Sequence, residues 1–205
     1  MYEKGEATRA NIIKAAEGLV LKQGYAGTSL DDVLKITGLT KGAFFHHFKS
    51  KAELGRAIVQ SYAEADFKLF AEWAVRADRL SDDPYERVII YLKLMEEFLG
   101  QLEEPLDGCI FASYMYQREG FEPDVHAFIR QRVEHWLKLY EEKFAALIKA
   151  RPPAVPVTAR GLAEAIAALI QGSFVMANFL EDRDYMLRRS RQFRQYLELL
   201  FKPRG

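Results

Sequence analysis

The chain has 205 residues, 49% hydrophobic and 28% charged, with 29 basic and 29 acidic side chains in formal balance. That composition excludes a disordered chain and a uniformly cationic nucleic-acid wrapper, and it supplies ample apolar surface for a core. The balance is uneven, however. Up to Ile58 nine lysines and arginines face six acids, so a mildly basic front precedes a mildly acidic remainder, as suits a polyanionic partner at one end.

Nearly every segment carries helical periodicity and none alternates like a strand, so the expected fold is all-α with about nine helices. The first is expected from about Thr8 to Lys22, with Ile12, Ile13, Ala16, Leu19 and Val20 on one face and Gly24 as its stop. A short second helix opens at Thr28-Ser29, where Ser29 and Asp32 have capping-box spacing, buries Leu30, Val33 and Leu34, and ends at Gly38. Thr40 caps a third short helix running through His47, with Phe44 and Phe48 one turn apart. Ser50 and Glu53 form a second capping box, opening a long helix to about Arg76 with Leu54, Ile58, Tyr62, Ala65 and Leu69 inward.

Helices are then expected over about Tyr85–Leu102, Cys109–Arg118, Asp124–Ala150, Thr158–Leu180 and Asp184–Phe201, with a proline-rich loop at 151–156. Residues 1–50 read as a three-helix head and 51–205 as a helical body. The N-terminus has no apolar core of a signal peptide, and a lone cysteine, Cys109, forms no intrachain disulfide, so a reducing cytoplasm is expected. The most apolar stretch, Leu162–Leu180, contains Glu164, which is costly inside hydrocarbon, so no membrane partner is expected.

The head has the parts of a groove reader. A helix ends at a glycine, a tight turn follows, and the next helix presents Thr40, Lys41 and Gly42 at its start. In a helix-turn-helix those N-terminal residues meet base edges in the major groove. Thr28 and Ser29 at the start of the second helix suit a phosphate oxygen, and His46, His47, Lys49 and Lys51 can grip the flanking backbone. The same histidines could instead cap the helix C-terminus.

Thr28-Ser29-Leu30, Asp31-Asp32-Val33, Gly38-Leu39-Thr40-Lys41-Gly42, Phe44-Phe45-His46-His47-Phe48 and Lys51-Ala52-Glu53-Leu54 together resemble the N-terminal domain of the tetracycline-repressor (TetR/AcrR) family. The resemblance covers about a quarter of the chain. It implies a homodimeric, ligand-responsive regulator, in which Thr40, Lys41 and Gly42 approach bases while Thr28, Ser29, Phe45, His46, His47 and Lys51 line the DNA backbone. Phe45 departs from the pattern, which usually has a tyrosine there; without the hydroxyl only apolar contact is open to it.

The implied partners are a double-stranded operator and a small apolar or aromatic effector, with no cofactor. Candidate effector-lining residues in the body are Phe67, Phe70, Trp73, Tyr91, Phe98, Cys109, Phe111, Tyr114, Phe128, Trp136 and Phe174; ordinary core packing is the competing reading for each. Cys109 is open to two roles, a thiol sensor or a buried structural residue. Glu119 and His126 have no triad context and the four histidines are scattered, so neither enzyme nor metal site is expected. The eighth helix is apolar on nearly all sides. Its uncovered flank suggests a homodimer, with Phe193, Tyr196, Leu197, Leu200 and Phe201 of the last helix completing a four-helix interface. Two rival functions are a scaffold that keeps this fold without DNA recognition and an enzyme working through Cys109.

Overall fold

The computed structural model of the chain describes residues 2–104, 106–116 and 123–202. Among them are nine helices and no strand: α1 Tyr2–Gly27, α2 Leu30–Thr37, α3 Lys41–His47, α4 Lys51–Leu80, α5 Pro84–Gly100, α6 Ile110–Tyr116, α7 Pro123–Ala150, α8 Ala159–Phe179 and α9 Tyr185–Leu200. The all-α expectation holds. Helix α1 starts earlier than its apolar face suggests, and its regular backbone breaks at Gly24, where φ is 75° and ψ 164°. Residues 117–122, including Glu119, lie outside the described residues.

The local stops and starts follow the side chains. Ser29 accepts from the Asp32 amide at 3.1 Å while the Asp32 carboxylate accepts from the Ser29 amide at 3.0 Å, closing the capping box. Gly38 ends α2 in the left-handed region (φ 68°), which glycine enters without a Cβ penalty. Thr40 caps α3 by accepting from the Ala43 amide at 3.2 Å. At the start of α4, Ser50 accepts from Glu53 N at 3.1 Å, but the Glu53 carboxylate accepts from the Lys49 amide at 2.8 Å, one residue ahead of the expected partner. Asp83 and Thr158 cap α5 and α8 in the same manner.

The helices pack into two compact units. The first comprises Met1–Asp66 and Asp107–Gln131, the second Phe67–Leu106 and Arg132–Gly205. Helices α4 and α7 each lend residues to both. The first core is built on Ile12, Ala16, Val20, Val33, Phe44, Phe48 and Ile58, joined by Ile110, Tyr114 and Ile129. Full burial of Phe44 and Phe48 contributes roughly 2–3 kcal/mol each. Packing therefore does not follow the 1–50/51–205 division, because α6 and the first turns of α7 bury their apolar faces with the head helices. On α4 the inward row also shifts: Ala65 is exposed, whereas Ala63 is buried and Asp66 half-buried.

The second core gathers Leu92, Leu147, Ala163, Ile166, Leu197 and Phe201 from α5, α7, α8 and the end of α9. Glu96 on α5 and Arg194 on α9 form a two-pronged ion pair at 2.8 and 3.2 Å, and Arg194 also reaches Glu198 at 2.6 Å. Phe193, Leu197, Leu200 and Phe201, expected at an interface between copies, are instead buried in their own unit. Their face of α9 is consumed by α5 and α8.

Candidate nucleic-acid interface

Phe44 and Phe48 turn one face of α3 into the first core, which leaves the other face outward. Lys41, Gly42, Phe45 and His46, at spacings i, i+1, i+4 and i+5, are all exposed. Phe45 is an exposed phenylalanine, 44% accessible, set edge-on to Phe44 with centroids 5.4 Å apart. Nothing packs against Gly42: a Cβ built there meets no atom within 4 Å, and its φ is not in the left-handed region. A glycine inside a helix costs about 0.5–1 kcal/mol relative to alanine. Neither packing within the chain nor backbone geometry requires it.

The remaining candidates fall into two groups. Thr40, His46 and Ser29 are exposed and His47 half-buried, with the Ser29 and Thr40 hydroxyls engaged in their caps. Hydrogen bonding from Ser29 keeps the Asp32 carboxyl below its usual range, so the cap carries a negative charge at the α2 N-terminus. Thr28 is different. It is buried, and its hydroxyl donates to the Gly24 carbonyl at 2.8 Å, so the bend between α1 and α2 uses the group assigned to phosphate.

Lys51 is half-buried, its ammonium 4.5 Å from the centroid of the Tyr25 ring, and burial lowers its pKa. Tyr25 itself donates to the Lys51 carbonyl at 3.1 Å. Sequence reasoning missed Tyr25, because a single tyrosine beside the helix break carries no periodic signal. Arg9 was missed likewise; its guanidinium lies 4.9 Å from the Phe48 ring centroid.

The candidate effector residues fall in both units. Cys109, Phe111, Tyr114 and Phe128 belong to the first unit, where Cys109 and Tyr114 are buried. There Tyr114 donates to the Gly55 carbonyl at 3.0 Å, and Phe111 meets Tyr62 edge-on at 5.4 Å. Burial, and then the Cys109 thiol, raise the Tyr62 phenol pKa. Phe67, Phe70, Trp73, Tyr91, Phe98, Trp136 and Phe174 belong to the second unit. Phe67 is 36% exposed with its ring 4.8 Å from His135, and Phe174 packs on the core edge. Trp73 touches Phe98 at 5.5 Å, and the hydroxyls of Tyr91 and Tyr140 share a 2.8 Å hydrogen bond. The Trp136 indole nitrogen is buried without a hydrogen-bond partner, a state that costs about 1–3 kcal/mol.

This architecture, with a capped short helix presenting an open face after a glycine turn, defines an all-α helix-turn-helix protein. Residues 12–58 match the family described as bacterial regulatory proteins, tetR family. Over 62 residues the chain is 45% identical to the HTH-type transcriptional regulator TtgR of Pseudomonas putida, a match that spans 30% of each protein. Over 182 residues, 85% of each protein, it is 26% identical to an uncharacterized HTH-type transcriptional regulator of Lactococcus lactis. Its fold matches that of a TetR transcriptional regulator from Chloroflexus aurantiacus with a TM-score of 0.79 at 24% identity, over 97% of this chain and 98% of that one. The likeness to the tetR family is thus carried by residues 12–58, while the solved structure shares the fold of nearly the whole chain.

Proposed function

We propose that the chain is a homodimeric, cytoplasmic transcriptional regulator, a repressor that leaves its operator when a small apolar or aromatic molecule binds. Residues 1–50 read the DNA; residues 51–205 bind the effector and the second copy. The observation that carries this reading is the open face of α3, where Lys41, Gly42, Phe45 and His46 point outward and Gly42 has empty space above it. Short residues there let the backbone come close to a groove, and Lys41 supplies the long donor for a base edge or phosphate.

The dimer reading is supported by α8, whose exposed residues Ala165, Ala168, Gly172, Val175, Met176 and Phe179 recur every three or four positions. Phe179 is 81% exposed and Leu199 on α9 70%. By length and composition α8 could also cross a membrane. Its inner face, with Leu162, Ala163 and Ile166 buried in the second core, fits a helix of a packed domain better.

Electrophoretic mobility shift of the purified chain on fragments of its source genome tests the proposal. The expected result is a discrete, salt-sensitive complex, which Lys41→Ala weakens at least about tenfold with helicity and dimer unchanged. Absent or salt-insensitive binding would leave the chain as a scaffold with this fold.

A further inference from the structure

Among the side chains of α3, Phe45 alone is large, apolar and exposed. It is 44% accessible, while Phe44 and Phe48 beside it are fully buried. Its ring meets Phe44 edge-on, with centroids 5.4 Å apart and planes at 86°, and Phe44 in turn lies 5.8 Å from Phe48. A core side chain thus braces the exposed ring. With only two rotatable bonds, that ring loses little freedom when something covers it. It also stands clear of Gly42, one turn earlier, because a Cβ built at Gly42 meets no atom within 4 Å. Open backbone at Gly42 and a braced ring at Phe45 therefore share one face of the helix.

The surroundings of the ring suit a polyanion, but the ring itself does not. Helix α3 carries no acidic side chain, and Lys41 and His46 are exposed on the same face as Phe45. Both have N–H groups to donate to DNA. Phe45 has neither N–H nor O–H, and the electron-rich face of its ring repels a phosphate oxygen. The major groove offers such a side chain one apolar group, the C5-methyl of thymine. Contact between the two removes apolar surface from water on both partners.

We propose that Phe45 is a specificity-determining residue that reads a thymine methyl in each operator half-site. The proposal rests on the reading of the chain as a DNA-binding regulator, and it adds a required base to that reading. The operator must hold an A·T pair whose thymine lies against the outward face of α3, one turn beyond Gly42. Contact of the same ring with sugar or phosphate would carry no sequence information.

To test this, the full chain selects its operator from a pool of random duplexes. Each thymine of the selected site is then replaced singly by deoxyuridine, which pairs alike and lacks only the methyl. At one thymine per half-site, uracil should lower the affinity of the wild-type chain about fourfold, the effect of one methyl withdrawn from apolar contact. Phe45→Ala should abolish that penalty and leave the response at other positions unchanged. Should the variant lose helicity, the wild-type chain is irradiated on operator carrying 5-iododeoxyuridine at the sensitive position, where iodine stands in for the methyl. The cross-linked residue should then be Phe45. Four results would overturn the proposal: tolerance of uracil at every position, a penalty that survives in Phe45→Ala, equal weakening of selected and random duplexes by that variant, or a cross-link to another residue. A chain that selects no duplex at all sinks the regulator reading and this role with it, whereas selection without uracil sensitivity sinks this role alone.

Discussion

Gly55 lies in the first turns of α4, where an added Cβ would sit 2.8 Å from Cε2 and 3.0 Å from the hydroxyl of Tyr25. Tyr25 cannot yield easily, since its ring is buried, lies 5.1 Å from the Tyr114 ring, and its hydroxyl donates to Lys51. Gly55→Ala should therefore lower stability by about 1–3 kcal/mol, even though alanine is the better helix former. A thermal melt checks this, and a raised Tm would show that the tyrosine gives way. Asp66, half-buried on the same helix, behaves differently from a surface acid. Desolvation, and then the Glu17 carboxylate, push its pKa up to about 7 from 3.8. The folded state thus holds a proton that the unfolded chain has lost. Stability from this group is full below about pH 4, falls as pH rises, and levels off above about 7. Denaturant midpoints should drop between pH 5.5 and 8, by an amount on the order of 1–3 kcal/mol after solvent screening. Asp66→Asn should flatten that slope and be the more stable form at pH 8.

At the scale of elements, α9 depends on a charge pair as well as on its apolar face. Glu96 is 9% exposed and Arg194 accounts for its charge. Arg194→Ala would strand a buried carboxylate between α5 and α9, costing about 3–5 kcal/mol, whereas Glu96→Gln with Arg194→Met should recover much of that loss. Urea unfolding of the single and double variants measures the difference, and equal loss in both would argue that packing, not charge, holds α9. The short helices of the head were legible because their signals are local: Ser29 with Asp32, Gly38 and Thr40 act within four residues. The inward row of α4 was not. Ala65 and Ala63 are the same residue type, and only tertiary packing decides which one faces the core.

For the whole molecule, the proposed function makes two copies necessary, because a modest basic head with few long side chains on α3 needs a second head at fixed spacing. The exposed stripe on α8 gives that idea a handle. Phe179→Glu should convert the dimer to a monomer in sedimentation, without loss of helicity, and reduce operator affinity about 100-fold or more, since each head would then bind alone. A monomeric wild-type chain, or a dimeric variant, would contradict it.

By itself the sequence determined the all-helical class, the capped starts and glycine stops of α2 and α3, and the likeness of the head to the tetR family, since each depends on periodicity or on side chains a few residues apart. It also pointed to the outward residues of α3, because Phe44 and Phe48 fix which face must be buried. The tertiary structure alone decided that Thr28 is buried and engaged with Gly24, and that Lys51 rests on Tyr25. It decided that α6 joins the first core and that most of the apolar face of α9 is spent within its own unit. It also assigned Cys109 and Tyr114 to the first unit and Trp136 to the second. The physical reason is common to these. Burial and hydrogen-bond satisfaction are properties of groups brought together from distant positions, and amphipathic periodicity says that a face is covered without saying by what.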